Sequence, residues 1–268
     1  MSSLDSAVAI LGCFSSETPE LAVSVVSKRL GMPKSTVSRL MRAMVEHGFL
    51  EQDPETQRFR VGVQLFQLGQ LYHAHANLLD MVDAETAALV EETGFTVYLG
   101  VLRGLDIVIL RRRHGGYPVR MVLEPGIQIG AAETAFGKAL LARMSNEELR
   151  DLLPSTLVNQ RSDTRRSIDD FLKEIAQVRK DGWARAQETF PGIMAIGVAV
   201  GSASNQPAVG FALSFPTNAV PKDEQKAMVE RVLACAERIA AKSADPLYAA
   251  RLAKRAKGSD AGTPLFNR

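Results

Sequence analysis

A cluster of basic and hydroxyl side chains lies within residues 28–42. This stretch holds five basic residues and no acidic one, although residues 1–78 carry seven of each. On a helix, such side chains can reach phosphates and the base edges of the major groove. The candidate DNA contacts are Lys34, Ser35, Thr36, Ser38, Arg39 and Arg42. Their local concentration favours DNA binding over an ordinary solvated helix face, because the net charge of the whole chain is only +2.

Two predicted helices precede this cluster and would support it. The first is expected over about 4–15, because three apolar residues recur at helical spacing. They are Leu4, Val8 and Leu11. Ser24 is the expected N-cap of a second helix over about 25–30, which ends at Gly31.

A third helix would carry the basic cluster itself, with Pro33 in its first turn and Gly48 at its end. Its inward stripe is expected to contain Val37, Leu40, Met41, Met44 and Val45. A hairpin follows, in which Arg58 and Arg60 share one strand face and are candidates to touch a phosphate or the minor groove. Three helices and a hairpin predict a winged helix-turn-helix domain over residues 1–62.

Residues 63–93 have regularly spaced apolar side chains and no proline, which predicts one or two long helices. Their apolar face exceeds what a solvated linker needs, so we expect it to pack against a second subunit. Residues 94–245 mix β-rich runs with amphipathic helices, which predicts an α+β domain. Among these runs are VRMVLE at 119–124 and IMAIGVAVG from residue 193. Residues 246–268 are expected to form a loosely ordered tail.

No reaction centre is recognisable in the sequence. The nucleophile elbow, the phosphate-binding loop, the dinucleotide-binding turn and common zinc spacings are all missing, so no catalytic residue, metal or cofactor is expected. His73 and His75 are two residues apart, and on a helix they would point away from each other. Cys13 and Cys235 are expected to be buried, reduced thiols. With no secretory leader and no apolar stretch long enough to span a membrane, a cytoplasmic location is expected.

Several runs resemble the isocitrate lyase regulator (IclR) type family of bacterial transcriptional regulators. The runs are LAVSVVSKRLGMPKSTVSRLMRAMVEHGFLEQDPETQRFRVG, AAETAFGKALLARM, VRKDGWARAQETFPGIMAIGVAV and GFALSF. Their ordered series is more specific than any one of them. The resemblance implies a winged helix-turn-helix, a helical linker that dimerises, a GAF-like effector-binding domain, and often tetramers made of two dimers.

The resemblance also implies a set of effector-binding residues. They are Gly130, Ala131, Ala132, Thr134, Glu188, Met194, Ala195, Ile196, Leu213 and Ser214. For each apolar member, plain core packing is an equal alternative. Many family members have a cysteine at the position of Ala195 and a proline at that of Ala199, so the ligand is hard to infer by analogy.

The sequence therefore predicts a homodimeric or tetrameric regulator that binds a double-stranded DNA operator. Its operator binding is expected to respond to a small-molecule effector. The small apolar pocket residues suggest an aromatic or partly apolar carboxylic acid. Two alternatives stay open: a metabolic hydrolase using Glu188 or Ser214 with an appended helical domain, and a winged helix that binds protein instead of DNA.

Overall fold

The structure, a computed structural model, divides into two compact units, Met1–Ala76 and Asn77–Arg268. It describes residues 2–15, 18–74, 77–118, 123–158, 164–187, 190–203 and 207–250, without the side chains of 72–74. Within these residues no helix combines the length and the apolar composition that crossing a bilayer requires.

The first unit contains the predicted three helices and wing. Its elements are α1 (Ser3–Leu11), β1 (Glu20–Leu21), α2 (Val23–Leu30), α3 (Lys34–Glu46), β2 (Leu50–Gln52), β3 (Phe59–Val61) and α4 (Val63–Ala74). The three strands form an antiparallel sheet in the order β1-β3-β2. The helices and sheet share a core that includes Ile10, Val26, Val37, Met41, Leu50 and Phe59. This arrangement confirms the predicted winged helix-turn-helix fold.

Helix α1 is shorter than predicted and buries a different face. It begins after Ser2, whose hydroxyl accepts from the Asp5 amide while the Asp5 carboxylate accepts from the Ser2 amide. The buried residues are Ser6 and Ile10. Leu4 and Val8 are 72% and 56% exposed, so the apolar residues that predicted the helix do not mark its buried face. Helical spacing revealed the helix but did not show which of two overlapping stripes meets the core.

The helix-turn-helix turn depends on Gly31 and Pro33. Gly31 ends α2 with φ of +64°, a conformation that side chains disfavour, and Pro33 is the N-cap of α3. The expected capping by Ser24 was wrong, because α2 begins at Val23 after Ala22, without a side-chain cap. The end of α3 is as predicted: Gly48 follows at φ of +72°.

The second unit is an α+β domain built on one antiparallel sheet. Its first half contains α5 (Asn77–Thr93), β4 (Thr96–Arg103), β5 (Asp106–Arg113), β6 (Gln128–Gly130), a 3-10 turn (Ala131–Glu133), α6 (Ala135–Leu141) and α7 (Asn146–Leu152). Its second half contains β7 (Thr156–Val158), β8 (Arg165–Ser167), α8 (Ile168–Asp181), β9 (Ala184–Ala186), β10 (Ile193–Val200), β11 (Val209–Pro216) and α9 (Gln225–Ser243). The sheet order is β6-β5-β4-β11-β10-β9, and β7 and β8 form a separate hairpin. Of the strand predicted at 119–124, residues 119–122 lie outside the described residues.

Each face of the six-stranded sheet has its own layer of helices. Helices α5 and α9 pack on one face, and α6 packs on the other with α8 behind it. The close approach of α6 requires Gly197 on β10, since an added Cβ there would stand 2.2 Å from the Phe136 amide nitrogen. The glycine therefore lets the helix backbone rest directly on the strand.

A buried ion pair connects the segment after α9 to the rest of the domain. Asp245 accepts two hydrogen bonds from Arg143, at 2.8 and 2.9 Å, and another from the Gly201 amide at 2.7 Å. Residues 246–250, at the start of the predicted tail, are helical, and Tyr248 is buried. Residues 251–268 lie outside the described residues.

Candidate functional site

The first candidate surface is the solvent face of α3. Helical periodicity buries Val37, Met41 and Met44 in the core of the first unit. The predicted contacts Lys34, Ser35, Arg39 and Arg42 are exposed, while Thr36 and Ser38 are half-buried. Buried apolar residues thus fix the helix, and its polar side chains face outward.

The charges on this face have no partners within the described residues. Lys34, Arg39 and Arg42 form no ion pair there, and the first acidic residue of α3 is Glu46 near its end. Arg29, from the same basic stretch, instead donates to the Cys13 carbonyl oxygen at 2.8 Å and so links α2 to the end of α1. No side chain caps the start of α3, which leaves its first amides available to an anion.

The wing presents Arg58 and Arg60 on either side of the buried Phe59. Arg60 pairs with Glu51 on β2 at 3.0 Å, whereas Arg58 has no ion-pair partner among the described residues. The wing turn is fixed by Asp53. Its carboxylate accepts from the backbone and hydroxyl of Thr56 and from the Glu55 amide, and the Thr56 backbone bond is the main cause of a lowered Asp53 pKa.

The second candidate site is a cavity in the second unit, between the sheet and the N-terminal end of α6. It encloses about 40 Å³, room for about three water molecules. Its walls carry mostly apolar atoms. The lining residues are Thr96, Tyr98, Leu123, Thr134, Ala135, Phe136, Ala186, Phe190, Ile193, Ala195, Ala212 and Ser214.

Strand register explains why a cavity forms here. Thr96, Ser214, Ala195 and Ala186 pair in sequence across β4, β11, β10 and β9, so they form one row on one sheet face. Each side chain in the row is small, and the space above it is left unfilled. The sequence shows these small residues, but not the pairing that places four of them side by side.

Of the ten residues that the family resemblance suggested, three contribute to the cavity: Thr134, Ala195 and Ser214. Met194, Ile196 and Leu213 are buried on the opposite sheet face, because successive strand residues alternate between faces. These three side chains therefore do not reach the cavity.

The remaining suggested residues lie near the cavity or outside the described part of the chain. Gly130 precedes the 3-10 turn that contains Ala131 and Ala132, and both alanines are buried in the domain core. Their turn leads directly to Thr134, the N-cap of α6. Glu188 lies outside the described residues.

The polar groups of the cavity are few. The Thr134 hydroxyl accepts from the Gly137 amide at 3.2 Å, and the Thr96 hydroxyl accepts from the Gly115 amide at 3.3 Å. The Tyr98 hydroxyl accepts from the Leu123 amide at 3.4 Å, and burial raises the pKa of Tyr98. Ser214 as a whole residue is 9% exposed, and its hydroxyl forms no hydrogen bond within the described residues. A ligand that reached Ser214 would therefore find an available polar group.

Sequence reasoning missed Thr96, Tyr98, Phe136 and Phe190 as cavity residues. Thr96 and Tyr98 are two residues apart on β4, so period-two alternation places them on the same face. Nothing in the sequence indicates that this face meets α6. The described residues contain no group of three or more His, Cys, Asp or Glu side chains that could hold a metal ion.

Known proteins match both units. The sequence model of the IclR helix-turn-helix domain matches residues 3–54, and that of the C-terminal domain of bacterial IclR transcriptional regulators matches 70–241. The transcriptional regulator XynR of Escherichia coli (strain K12) is 26% identical over 232 residues, covering 83% of this chain and 89% of XynR.

Solved structures show the same fold. An IclR-type regulator from Silicibacter sp. TM1040 aligns with a TM-score of 0.80 at 23% identity, covering 92% of this chain and 99% of its own. An IclR homologue from Microbacterium hydrocarbonoxydans, complexed with 4-hydroxybenzoate, aligns with a TM-score of 0.71 at 21% identity, covering 89% and 97%. The curated relatives are transcriptional regulators, which disfavours the hydrolase alternative. The chain belongs to the IclR family of DNA-binding bacterial transcriptional regulators.

Proposed function

We propose that this regulator binds its operator through the exposed face of α3 and the wing, as a homodimer or a dimer of dimers in the cytoplasm. We further propose that a small apolar carboxylic acid in the cavity modulates this binding. The proposal rests on one observation: α3 combines a buried apolar stripe with an exposed basic face that forms no ion pair in the part of the chain that the structure describes.

Lys34, Arg39 and Arg42 suit phosphate contacts because no acidic neighbour neutralises them within the described residues. Arg39 and Arg42 also suit guanine edges, and Ser35 is small enough to allow close approach. Arg58 would reach the flanking backbone or minor groove more readily than Arg60, which is already paired with Glu51.

The exposed helix α4 supports dimerisation. Residues 66–71 are exposed without interruption, including Phe66 at 65% and Leu71 at 59%. A short helix without packing is marginally stable in water. A second copy of the chain that covered this helix would bury the apolar side chains and stabilise it. A dimer would also present two α3 helices to successive major grooves.

The cavity is suited to an effector that either fits the present space or displaces the residues that line it. The homologue from M. hydrocarbonoxydans is complexed with 4-hydroxybenzoate, a ring compound. A ring compound that filled this cavity would press against the N-terminal end of α6 and the segments that flank the strands, and we propose that these would move. Such a movement is how occupancy of the cavity would be transmitted, since a ligand shifts an equilibrium only through differential affinity for two states.

Salt-dependent DNA binding tests the proposal. Fluorescence anisotropy with a labelled duplex should show the logarithm of affinity falling linearly with the logarithm of salt concentration. Arg39→Gln and Arg42→Gln should each reduce the magnitude of that slope by about 1 if the arginine contacts a phosphate.

The matched control is Arg103→Gln, which removes an exposed arginine from the second unit. It should leave the slope unchanged. A wild-type protein that fails to retain DNA at low salt would instead support the protein-binding winged helix.

A further inference from the structure

Arg112, a half-buried arginine, lies next to two residues that line the cavity, Tyr98 and Leu123. It is the cross-strand partner of Tyr98, so both side chains lie on the cavity face of the sheet. The Arg112 side chain is only 14% exposed. Burial raises the pKa of Tyr98, and the positive charge of Arg112 lowers it in part. The arginine is therefore close enough to influence a residue that lines the cavity.

The hydrogen bonds of Arg112 use one end of the guanidinium group. Nη1 donates to the Leu123 carbonyl oxygen at 3.2 Å and to the Glu124 carboxylate at 2.8 Å. Within the described residues, neither the buried Nε nor Nη2 has an acceptor. A buried donor without an acceptor is uncommon in folded proteins, because its lost hydration is not replaced.

We infer that the Nε–Nη2 edge of Arg112 receives the carboxylate of the effector and makes the cavity selective for acids over neutral analogues. This inference rests on the proposed function, in which the cavity is the effector site. The edge offers two parallel N–H groups, the geometry that matches the two oxygens of a carboxylate.

Leu123 connects this arginine to the cavity. It lines the cavity, its amide donates to Tyr98, and its carbonyl oxygen accepts from Arg112. An acid with its apolar body against Leu123 and Phe136 would therefore have a guanidinium group at the Tyr98 end. Glu124 is 53% exposed and holds the other end of Arg112, where it competes weakly for the positive charge.

Paired ligands test the inference. Isothermal titration calorimetry would compare benzoate, 4-hydroxybenzoate and phenylacetate with the matching neutral amides. Arg112→Gln should weaken binding of an acid by about 10- to 100-fold, the range for charge-assisted hydrogen bonds, and change binding of its amide by less than about 3-fold.

Arg113→Gln is the matched control. Arg113 is the next residue on β5, lies on the opposite face beside Val97, and pairs with Asp83 at 2.9 Å. The control removes the same charge without altering the cavity face, so acid binding should remain within about 3-fold of wild type. An equal loss in both variants would overturn the inference and indicate a long-range charge effect.

Glu124→Gln gives a second test that does not depend on a buried substitution. Removing the competing carboxylate should tighten acid binding by about 2- to 5-fold and leave the amides unchanged. Equal loss of acids and amides in Arg112→Gln, or no selectivity in wild type, would overturn the role of Arg112. Failure of every acid to bind would overturn the ligand class. Salt-dependent DNA binding would still test the regulator function separately.

Discussion

Helices α4 and α5 are both apolar and adjacent in sequence, yet their side chains have opposite surroundings. Helix α5 buries Leu78, Leu79, Val82, Thr86, Leu89 and Val90 within its own unit. Helix α4 leaves four apolar side chains between 45% and 65% exposed, namely Val63, Phe66, Leu68 and Leu71. The predicted linker at 63–93 therefore combines a helix that belongs to a domain core with one whose apolar side chains are largely exposed.

The difference locates the surface that the proposed dimer would cover. From sequence periodicity alone, an apolar face larger than a solvated linker needs was expected along the whole of residues 63–93. In the structure α9 covers α5, and Arg111 and Arg113 on β5 form ion pairs with Asp80 and Asp83 of α5. Within the described residues, the uncovered apolar surface of the predicted linker therefore lies on α4.

Truncation of a buried leucine should give the largest effect. Leu79 is 2% exposed, so Leu79→Ala should lower the unfolding free energy of the second unit by about 2–5 kcal/mol. Guanidinium unfolding followed by the fluorescence of Trp183, the single tryptophan of the chain and part of this unit, would measure it.

Leu71→Ala on α4 is the matched control. Leu71 is 59% exposed, so the same truncation should change the transition reported by Trp183 by about 0.5 kcal/mol or less. A loss comparable with that of Leu79→Ala, independent of protein concentration, would mean that α4 is packed within the protomer.

Truncation of Phe66 should weaken the proposed dimer. Phe66 is the largest exposed apolar side chain among the described side chains of α4. Aromatic anchors commonly account for about 2 kcal/mol of binding, or roughly 30-fold in the dissociation constant. Sedimentation at several concentrations of Phe66→Ala and wild type would measure the change.

Leu105→Ala removes an exposed apolar side chain from the turn between β4 and β5 and should leave association unchanged. A monomeric wild type, or equal weakening by both substitutions, would argue against dimerisation through α4.

Sequence patterns predicted the local features of this protein more reliably than the features that depend on contacts between distant residues. The outward and inward residues of α3 follow from one periodic pattern, as do the strands that pair through β4, β5, β10 and β11. The cavity row and the Arg143–Asp245 ion pair depend on contacts between residues far apart in the chain. Periodicity also left two choices for α1, and the core selected the stripe containing Ile10.

The smallest expected effect concerns the ion pairs that join α5 to α9. Glu85 on α5 accepts from Lys242 and Arg238, and the Lys242 hydrogen bond is the main reason that its pKa is lowered. A lowered folded-state pKa stabilises the fold above the unfolded value near 4.5, and this stabilisation is lost as pH falls through the folded-state pKa.

Glu85→Gln should therefore lower the unfolding free energy by about 1 kcal/mol at neutral pH, and the difference from wild type should shrink as both are acidified below pH 4.5. Glu92→Gln is the matched control, because Glu92 pairs with Arg231 between the same helices but is 56% exposed, against 17% for Glu85. Its effect at neutral pH should be smaller. A difference between Glu85→Gln and wild type that persists in acid would show that Glu85 contributes through packing instead of charge, and α5 would then depend on its apolar face alone.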